Sequence, residues 1–295
     1  MSNTAANLRH KIDSASDLQG VVRTMKALAA SSINQYEQSL SSLGDYYRTV
    51  ELGLSASFRA VEPAMPMVKA SNTQSATDVV GVIVFGSDQG LVGQFNEDVA
   101  DFTIKTLGNL VAKPQVWAVG ERVYSRLADA GLTMKQGFTV PTNVNAIASL
   151  VRQIQIDSET HRGNSDTACV YVFHNRPTSG ALYEPVSQRL LPLDRQWQHN
   201  LTQIPWPTKN LPEILCSNAT TVRALIREYI FISLYRACAE SLASENSSRL
   251  AAMQRAEKNI DELLENLQRE FHRLRQSAID EELSDVLAGY ELLTK

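Results

Sequence analysis

Apolar positions recur every seven residues at both ends of this chain, and the period changes between them. Toward the C-terminus, Met253, Ile260, Leu267 and Leu274 form one row, with Ala256 and Leu263 on a second row that Glu270 interrupts. Toward the N-terminus, Leu8, Ala15, Val22, Ala29, Tyr36, Leu43 and Val50 form a row, with Leu18 and Met25 on the second. This 3-4 alternation marks a helix that packs along a narrow seam on another helix. From Glu213 to Ala288 there is neither Gly nor Pro, the two residues least compatible with a helix interior. One helix over that run would reach roughly 110 Å at about 1.5 Å per residue, so its seam needs a partner. The N-terminal run supplies it. Gly20, Gly44 and Gly53 weaken that helix without stopping it, and the small-sided patch Ala27–Ser32 lets two axes come close. Glu245 and Glu265 stand four residues before Arg249 and Arg269, the favoured order for ion pairs on a helix surface. The pattern predicts an antiparallel coiled coil made by the two ends of one chain.

All ten prolines fall between Pro63 and Pro212, so a separate module interrupts the helices. Glu62–Thr77, with Pro63 and Pro66, reads as a linker. Val79–Phe85 is a β-branched apolar run, as expected of a strand buried on both faces. Strands at Val116–Val119, Phe138–Val140 and Ala168–Phe173 alternate with helices at Asp98–Val111, Glu121–Ala130 and Asn143–Asp157. Tyr183–Leu193 reads as a later strand or hairpin arm, and Gln196–Asn210 as a polar connection back to the long helix. Such alternation implies a mostly parallel, covered sheet. The predicted fold class is therefore α/β: a Rossmann-like module between two long helices. Its expected divisions are an N-terminal helix over 1–62, a module over 76–208 and a C-terminal helix over 210–295.

A formal net charge of −4 gives no basic field that would argue for nucleic acid. Cys169, Cys216 and Cys238 have no metal-binding spacing, and an odd, unclustered set fits a reducing setting. No apolar run approaches the length of a membrane span, and MSNTAANLRHKI lacks a signal-peptide core. The chain thus reads as cytosolic and unprocessed.

Candidate chemistry is sparse. The loop Gly86-x-x-x-Gly90-x-x-Gly93 follows the first strand, where backbone amides can cradle phosphate, yet it matches neither the dinucleotide nor the P-loop pattern. It reads better as a tight strand-to-helix turn that needs positive φ. Ser87 and Asp88 are candidates for holding a cation or assisting a nucleophile, with no His nearby in sequence. His10, His161, His174, His199 and His272 are scattered without metal-ligand spacing. The acidic clusters Asp261–Glu262–Glu265 and Asp280–Glu281–Glu282 read as solvated helix faces or as a docking patch for a basic partner. Trp117, Trp197 and Trp206 read as packing residues.

Four stretches, taken together, are more specific. LYRACAESLASENSSRLAAMQ (234–254), RQSAIDEELSDVLAG (275–289), LRHKIDSASDLQGVVRTMKALAAS (8–31) and GSDQGLVGQFN (86–96) resemble, in order and spacing, segments of the gamma subunits of F-type ATP synthases. The resemblance implies a non-catalytic central-stalk rotor without cofactor or metal. Its partners would be a hexamer of alpha and beta subunits, the epsilon subunit and the membrane c-ring, with no self-association. The site would be the cytoplasmic face of a prokaryotic plasma membrane. The resemblance assigns Arg275 and Gln276, with Glu282 nearby, to a catch contact with a beta-subunit loop. It places Met25 and Lys26 in a neck facing an acidic lever of beta, and 286–293 in a tip turning in an apolar sleeve. The chain departs from the family at Asp280 (usually Thr), Tyr290 (usually small), Ser32 (usually Lys), Gln89 (usually Arg) and Val92 (usually Cys). Those departures leave the neck less basic than usual. They point to a divergent branch, the alternate ATPase often considered sodium-translocating. Two other readings of the residues are a Rossmann-like nucleotide-binding enzyme with helical extensions and a coiled-coil scaffold.

Overall fold

A computed structural model of the chain describes residues 5–59, 79–108, 113–163, 167–179, 182–193, 195–210, 212–213 and 218–293. The expected linker, Cys216 and the side chain of Tyr290 lie outside that description. The elements are α1 (Ala5–Arg59), β1 (Val79–Phe85), α2 (Phe95–Leu107), β2 (Lys113–Val119), α3 (Glu121–Asp129), β3 (Thr133–Phe138), α4 (Val144–Gly163), β4 (Thr167–Arg176), β5 (Glu184–Leu191), α5 (Arg195–Thr202) and α6 (Asn218–Leu293). Two compact units result. The described residues up to Ala30 join those from Arg249 onward, and Ser31–Ser248 form the other.

The larger unit is built on a sheet of order β3-β2-β1-β4-β5, parallel except for β5, which runs antiparallel to β4. Successive residues of β1 point to opposite faces and both faces are covered, which explains its unbroken apolar run. Val80, Val82 and Val84 pack with Val99 and Ala100 of α2 and with Val123 and Leu127 of α3. Ile83 and Phe85 pack with Ile147, Val151 and Ile154 of α4 and with Leu234, Cys238 and Leu242 of α6. Small residues line this part of α6, Ala237, Ala239 and Ala243 being buried, so the helix axis lies close to the sheet. Burial pushes the Cys238 thiol well above its ordinary pKa, leaving it a packing group.

Within the same unit α1 runs antiparallel to α6. Ser39 meets Tyr235 at 3.1 Å, Tyr46 donates to Glu228 at 2.7 Å, and Tyr47 donates to Tyr229 at 3.3 Å. A Cβ on Gly53 would lie 3.3 Å from Leu225, so glycine there permits a close approach of the helices. Val50, Leu54 and Phe58 of α1 share a core with Leu201 of α5 and with Tyr229 and Ile232 of α6. Trp197 joins that core at its edge, donating to Tyr229.

Several boundaries differ from expectation. α2 starts at Phe95 rather than Asp98, and its expected end reaches residues outside the description. The third strand lies at Thr133–Phe138, earlier than Phe138–Val140, and past it the Val140 N–H donates to the Asp88 carboxylate instead of to a neighbouring strand. The stretch taken as a polar connection contains α5, whose apolar Leu201 and Trp197 are spaced four apart on one side. Arg59 of α1 donates to the Thr202 and Ile204 carbonyls at the end of α5, as a cation does at a helix C-terminus.

Candidate partner-contact surface

In the smaller unit the helices are antiparallel: Gln19 donates to Asp261, while Arg23 at 2.9 Å and Lys26 both donate to Glu257. Leu8, Ala15 and Ala29 are buried, as the seven-residue row predicted, and Val22 is half-buried. On α6, Met253 is buried and Ile260, Leu267 and Leu274 are half-buried. The second row holds only in part on both helices: Met25 and Ala256 are half-buried, but the leucines face outward. Leu18 is 58 % exposed and Leu263 49 % exposed. Four positions after the first row, Ile12, Gln19 and Lys26 on α1 and Glu257, Leu264 and Phe271 on α6 are all half-buried, whereas the row at three positions is broken, Met25, Ala256 and Glu270 being half-buried but Leu18 and Leu263 exposed. Rows at +3 and +4 flank the first row on opposite sides, and the partner helix covers the +4 side. Of Ala27–Ser32, Ala29 alone is buried, so one small residue rather than a patch sits on the seam.

This arrangement fixes the predicted neck residues. Lys26 sits on the +4 row and is engaged by Glu257, whose carboxyl is held below its ordinary pKa by hydrogen bonds from Lys26 and Arg23. Met25, one position away, is half-buried and belongs to a different stripe. It lies with Leu18, Val21 and Leu28, which are 58, 55 and 64 % exposed at i, i+3 and i+10 around it. Ser16, Asp17, Gly20 and Thr24 line a shallow open depression beside Val21 and Met25.

Arg275, Gln276 and Glu282 lie past Leu274, the last half-buried seam residue, and every described side chain from Arg275 to Leu287 is exposed. The structure does not bring these three together with Met25 and Lys26 by any contact among the described residues. Beyond Gln276 runs a second apolar stripe, Ile279, Leu283 and Val286, at helical spacing. Exposed apolar surface of this extent marks an interaction site.

The glycine-bearing loop has a structural account. Gly93 has φ 62° and Leu91 φ 63°, in the left-handed region. A Cβ on Gly86 would lie 2.5 Å from Val123, so that glycine lets α3 approach the end of β1. Asp88 accepts from the backbone N–H of Glu121 at 3.0 Å and of Val140 at 2.8 Å, capping α3 and tying down the chain after β3. Ser87 is held by Asn96, whose side chain both accepts from Ser87 N and donates to Ser87 Oγ. Both candidate polar side chains thus serve the turn. In a parallel sheet of this order, ligands bind beyond the strand ends where the order reverses, here between β1 and β4. α6 fills that crevice: Ser244 donates to the Asn175 carbonyl at 3.0 Å and Ser248 to the Val92 carbonyl.

The family model described as ATP synthase matches residues 4–293. The chain belongs to the ATP synthase gamma-chain family. It is 25 % identical over 301 residues to the ATP synthase gamma chain of Nautilia profundicola, covering 99 % of both chains. It is 28 % identical over 299 residues to that of Nitrosomonas europaea, covering 97 % of this chain and 98 % of the other. A chain of the Euglena gracilis mitochondrial ATP synthase, in an OSCP/F1/c-ring structure, superposes with TM-score 0.63 at 15 % identity, covering 98 % and 94 %. A chain of the Tetrahymena thermophila mitochondrial ATP synthase central stalk and c-ring gives 0.53 at 20 %, covering 80 % and 99 %.

As a gamma chain the protein is a non-catalytic subunit of an ATP synthase. No helix among the described residues is long and apolar enough to cross a membrane. Sequence reading missed the seam partners Glu257 and Asp261, because acidic residues on a long helix look alike until the opposing register is known. The gamma-like segment 234–254 carried a usable signal: its small side chains are those that let α6 lie against the sheet.

Proposed function

We propose that the two exposed stripes are the surfaces by which this chain, turned by ion flow through a c-ring, drives conformational change in the beta subunits. The partition that serves this reading is a helix over 1–62, a foot over 76–208 and a helix over 210–295. Arg275 and Gln276, with Glu282, make the catch on a beta loop. Met25 and Lys26 form the neck, and the tip turns inside a sleeve made by the alpha and beta subunits. The foot meets epsilon and the c-ring, on the cytoplasmic face of a prokaryotic plasma membrane, with protons or sodium as the coupling ion. The observation that carries this reading is the run from Arg275 to Leu287, exposed throughout yet bearing an apolar stripe. Surface of that kind gains only by being enclosed. A shaft shifts an equilibrium only through unequal contact with alternative partner states, and a stripe on one side of a helix offers unequal contact as it turns.

The test is the double variant Arg275→Ala, Gln276→Ala in the assembled complex, with ATP-driven ion pumping and nucleotide binding measured side by side. Coupled pumping falls while nucleotide binding holds. A variant that assembles and pumps normally overturns the catch assignment.

A further inference from the structure

An apolar cavity of about 30 Å³ lies between the sheet, α4 and α6 in the larger unit, walled by Ile83, Trp117, Val170, Leu190, Ile230 and Leu234. We propose that it binds a small uncharged apolar molecule of about two or three non-hydrogen atoms, a short alkane or an alkyl end, since that volume amounts to about two water-sized spaces.

The cavity opens beside one residue of β1. Side chains alternate along a strand. Val80, Val82 and Val84 face α2 and α3, while Gly81 shares with Ile83 and Phe85 the face toward α4 and α6. Gly81 pairs with Gln115 of β2 and with Val170 of β4, and the irregularity in the pairing with β4 falls earlier, between Val79 and Val80. Neither a turn nor a positive φ calls for glycine at this position. A strand glycine of that kind leaves a gap where its neighbours place a side chain, or lets something approach closely. Gly81 lines the cavity.

The lining decides what fits. Ile83, Trp117, Leu190 and Leu234 are each buried. The Trp117 indole N–H is given to Asp157 at 2.5 Å. At the mouth, Ser158 donates to the Gln155 carbonyl at 3.0 Å, and the Gln155 amide to the Arg227 carbonyl at 3.4 Å. Glu159 and Arg227 stand 3.9 Å apart with 55 and 69 % of their side chains exposed, so their charge stays in solvent. A water inside needs about two to four polar partners, and these walls are hydrocarbon. An empty void forfeits dispersion contacts along its lining, which an apolar occupant restores. Size sets the upper limit, because a benzene ring needs a cavity on the order of 150 Å³.

The experiment uses the full-length chain with isotope-labelled isoleucine, leucine and valine methyl groups. Xenon and cyclopropane are dissolved separately at rising pressure, and methyl NMR spectra are recorded. Both probes are expected to shift the Ile83, Ile230 and Leu234 methyls saturably, with a dissociation constant on the order of millimolar, as tight as so few atoms allow. Gly81→Ala puts a methyl into the space and abolishes the saturable shifts. Val170→Ile fills the same space from β4 and serves if the glycine variant misfolds by circular dichroism. Shifts that never saturate, that spread equally to the Val82 and Val84 methyls on the other face, or that survive both variants overturn the proposal. A water cross-peak to the cavity methyls that persists under xenon also overturns it, with water as the occupant. Saturable binding of benzene there overturns the size class.

Discussion

Lys26 and Glu257 meet across the antiparallel helices from equivalent rows, each four residues beyond a seam residue, Val22 on α1 and Met253 on α6. The pairing joins the register of the two helices to the electrostatics of the neck. Glu257 answers two cations, Lys26 and Arg23, and Arg23 remains 57 % exposed. One positive charge is therefore left over on this side of α1. An acidic partner would meet that remainder rather than a free lysine, and at physiological ionic strength would feel it only within about 8 Å.

The broken second row predicts opposite outcomes for neighbouring leucines. Leu264→Ala removes half-buried packing and lowers stability by about 1 kcal/mol, whereas Leu263→Ala changes it by less than about 0.5 kcal/mol. Urea unfolding of the two variants decides the matter. Equal losses, or a larger loss at Leu263, would return the seam to the row first read from the sequence.

That leucine pair also marks how far the sequence was legible. The first row was readable because one apolar residue in seven repeats without exception from Leu8 to Val50. The second row was not, because its members include Gln19, Lys26 and Glu257, which carry no hydrophobic signal, while apolar Leu18 and Leu263 face outward. A partner helix chooses between the +3 and +4 sides, and that choice is tertiary. The strands of the module were readable where both faces are buried, as in β1. The exposed edge strand β3, with its sequence TMKQGF, was misplaced for want of an apolar pattern. Among the site residues, Arg275, Gln276 and Glu282 came from resemblance alone. The pairing of His174 with Glu240 gave no linear signal, since the two lie 66 residues apart.

Glu240 makes stability depend on acid in a defined direction. His174 Nε2 lies 2.7 Å from Glu240 Oε2, and Arg236 Nε donates to Glu240 Oε1 at 2.7 Å. Burial would raise the Glu240 pKa, but these bonds outweigh it. The folded pKa is depressed below the ordinary 4.5, so the unfolded chain takes up the proton first. The contribution is present above the ordinary value and is lost as pH falls through the folded value. At neutral pH Glu240→Gln costs on the order of 2 kcal/mol, below the usual loss for a buried pair because Arg236 is half exposed. Thermal unfolding as a function of pH should show wild type and variant converging as the pH falls through the depressed Glu240 value. A gap that stayed constant into acid would mean that Glu240 is not held ionised by these partners.

Two glycines of the same loop separate packing from conformational need. Gly86→Ala brings a Cβ to 2.5 Å from the Val123 Cβ, a branched carbon that cannot swing aside. α3 must then lift from β1, at about 2–3 kcal/mol. At Gly90 the nearest atom is the Arg122 Nη2 at 3.8 Å, the end of a flexible chain, so Gly90→Ala is close to neutral. Chemical denaturation of both variants measures the contrast. Comparable destabilisation would point to a backbone requirement along the whole loop instead of one close approach.

The stripe on the last turns of α6 predicts a split between the chain alone and the chain in its assembly. Leu283 and Val286 are 57 and 71 % exposed, so replacing both with Ser changes the stability of the isolated chain by less than about 1 kcal/mol, about 0.5 for each exposed site. In an assembly that encloses the stripe, the same change puts hydroxyls where apolar surface was covered. Each lost burial is worth roughly 1.5–3 kcal/mol. Reconstitution of the variant with alpha and beta subunits, followed by gel filtration and ATP-driven pumping, should show weakened assembly or slipping rotation while thermal unfolding of the isolated chain is unmoved. Normal assembly and pumping would mean that the stripe is not enclosed. A fall in the stability of the isolated chain would mean that the stripe is covered from within the chain itself.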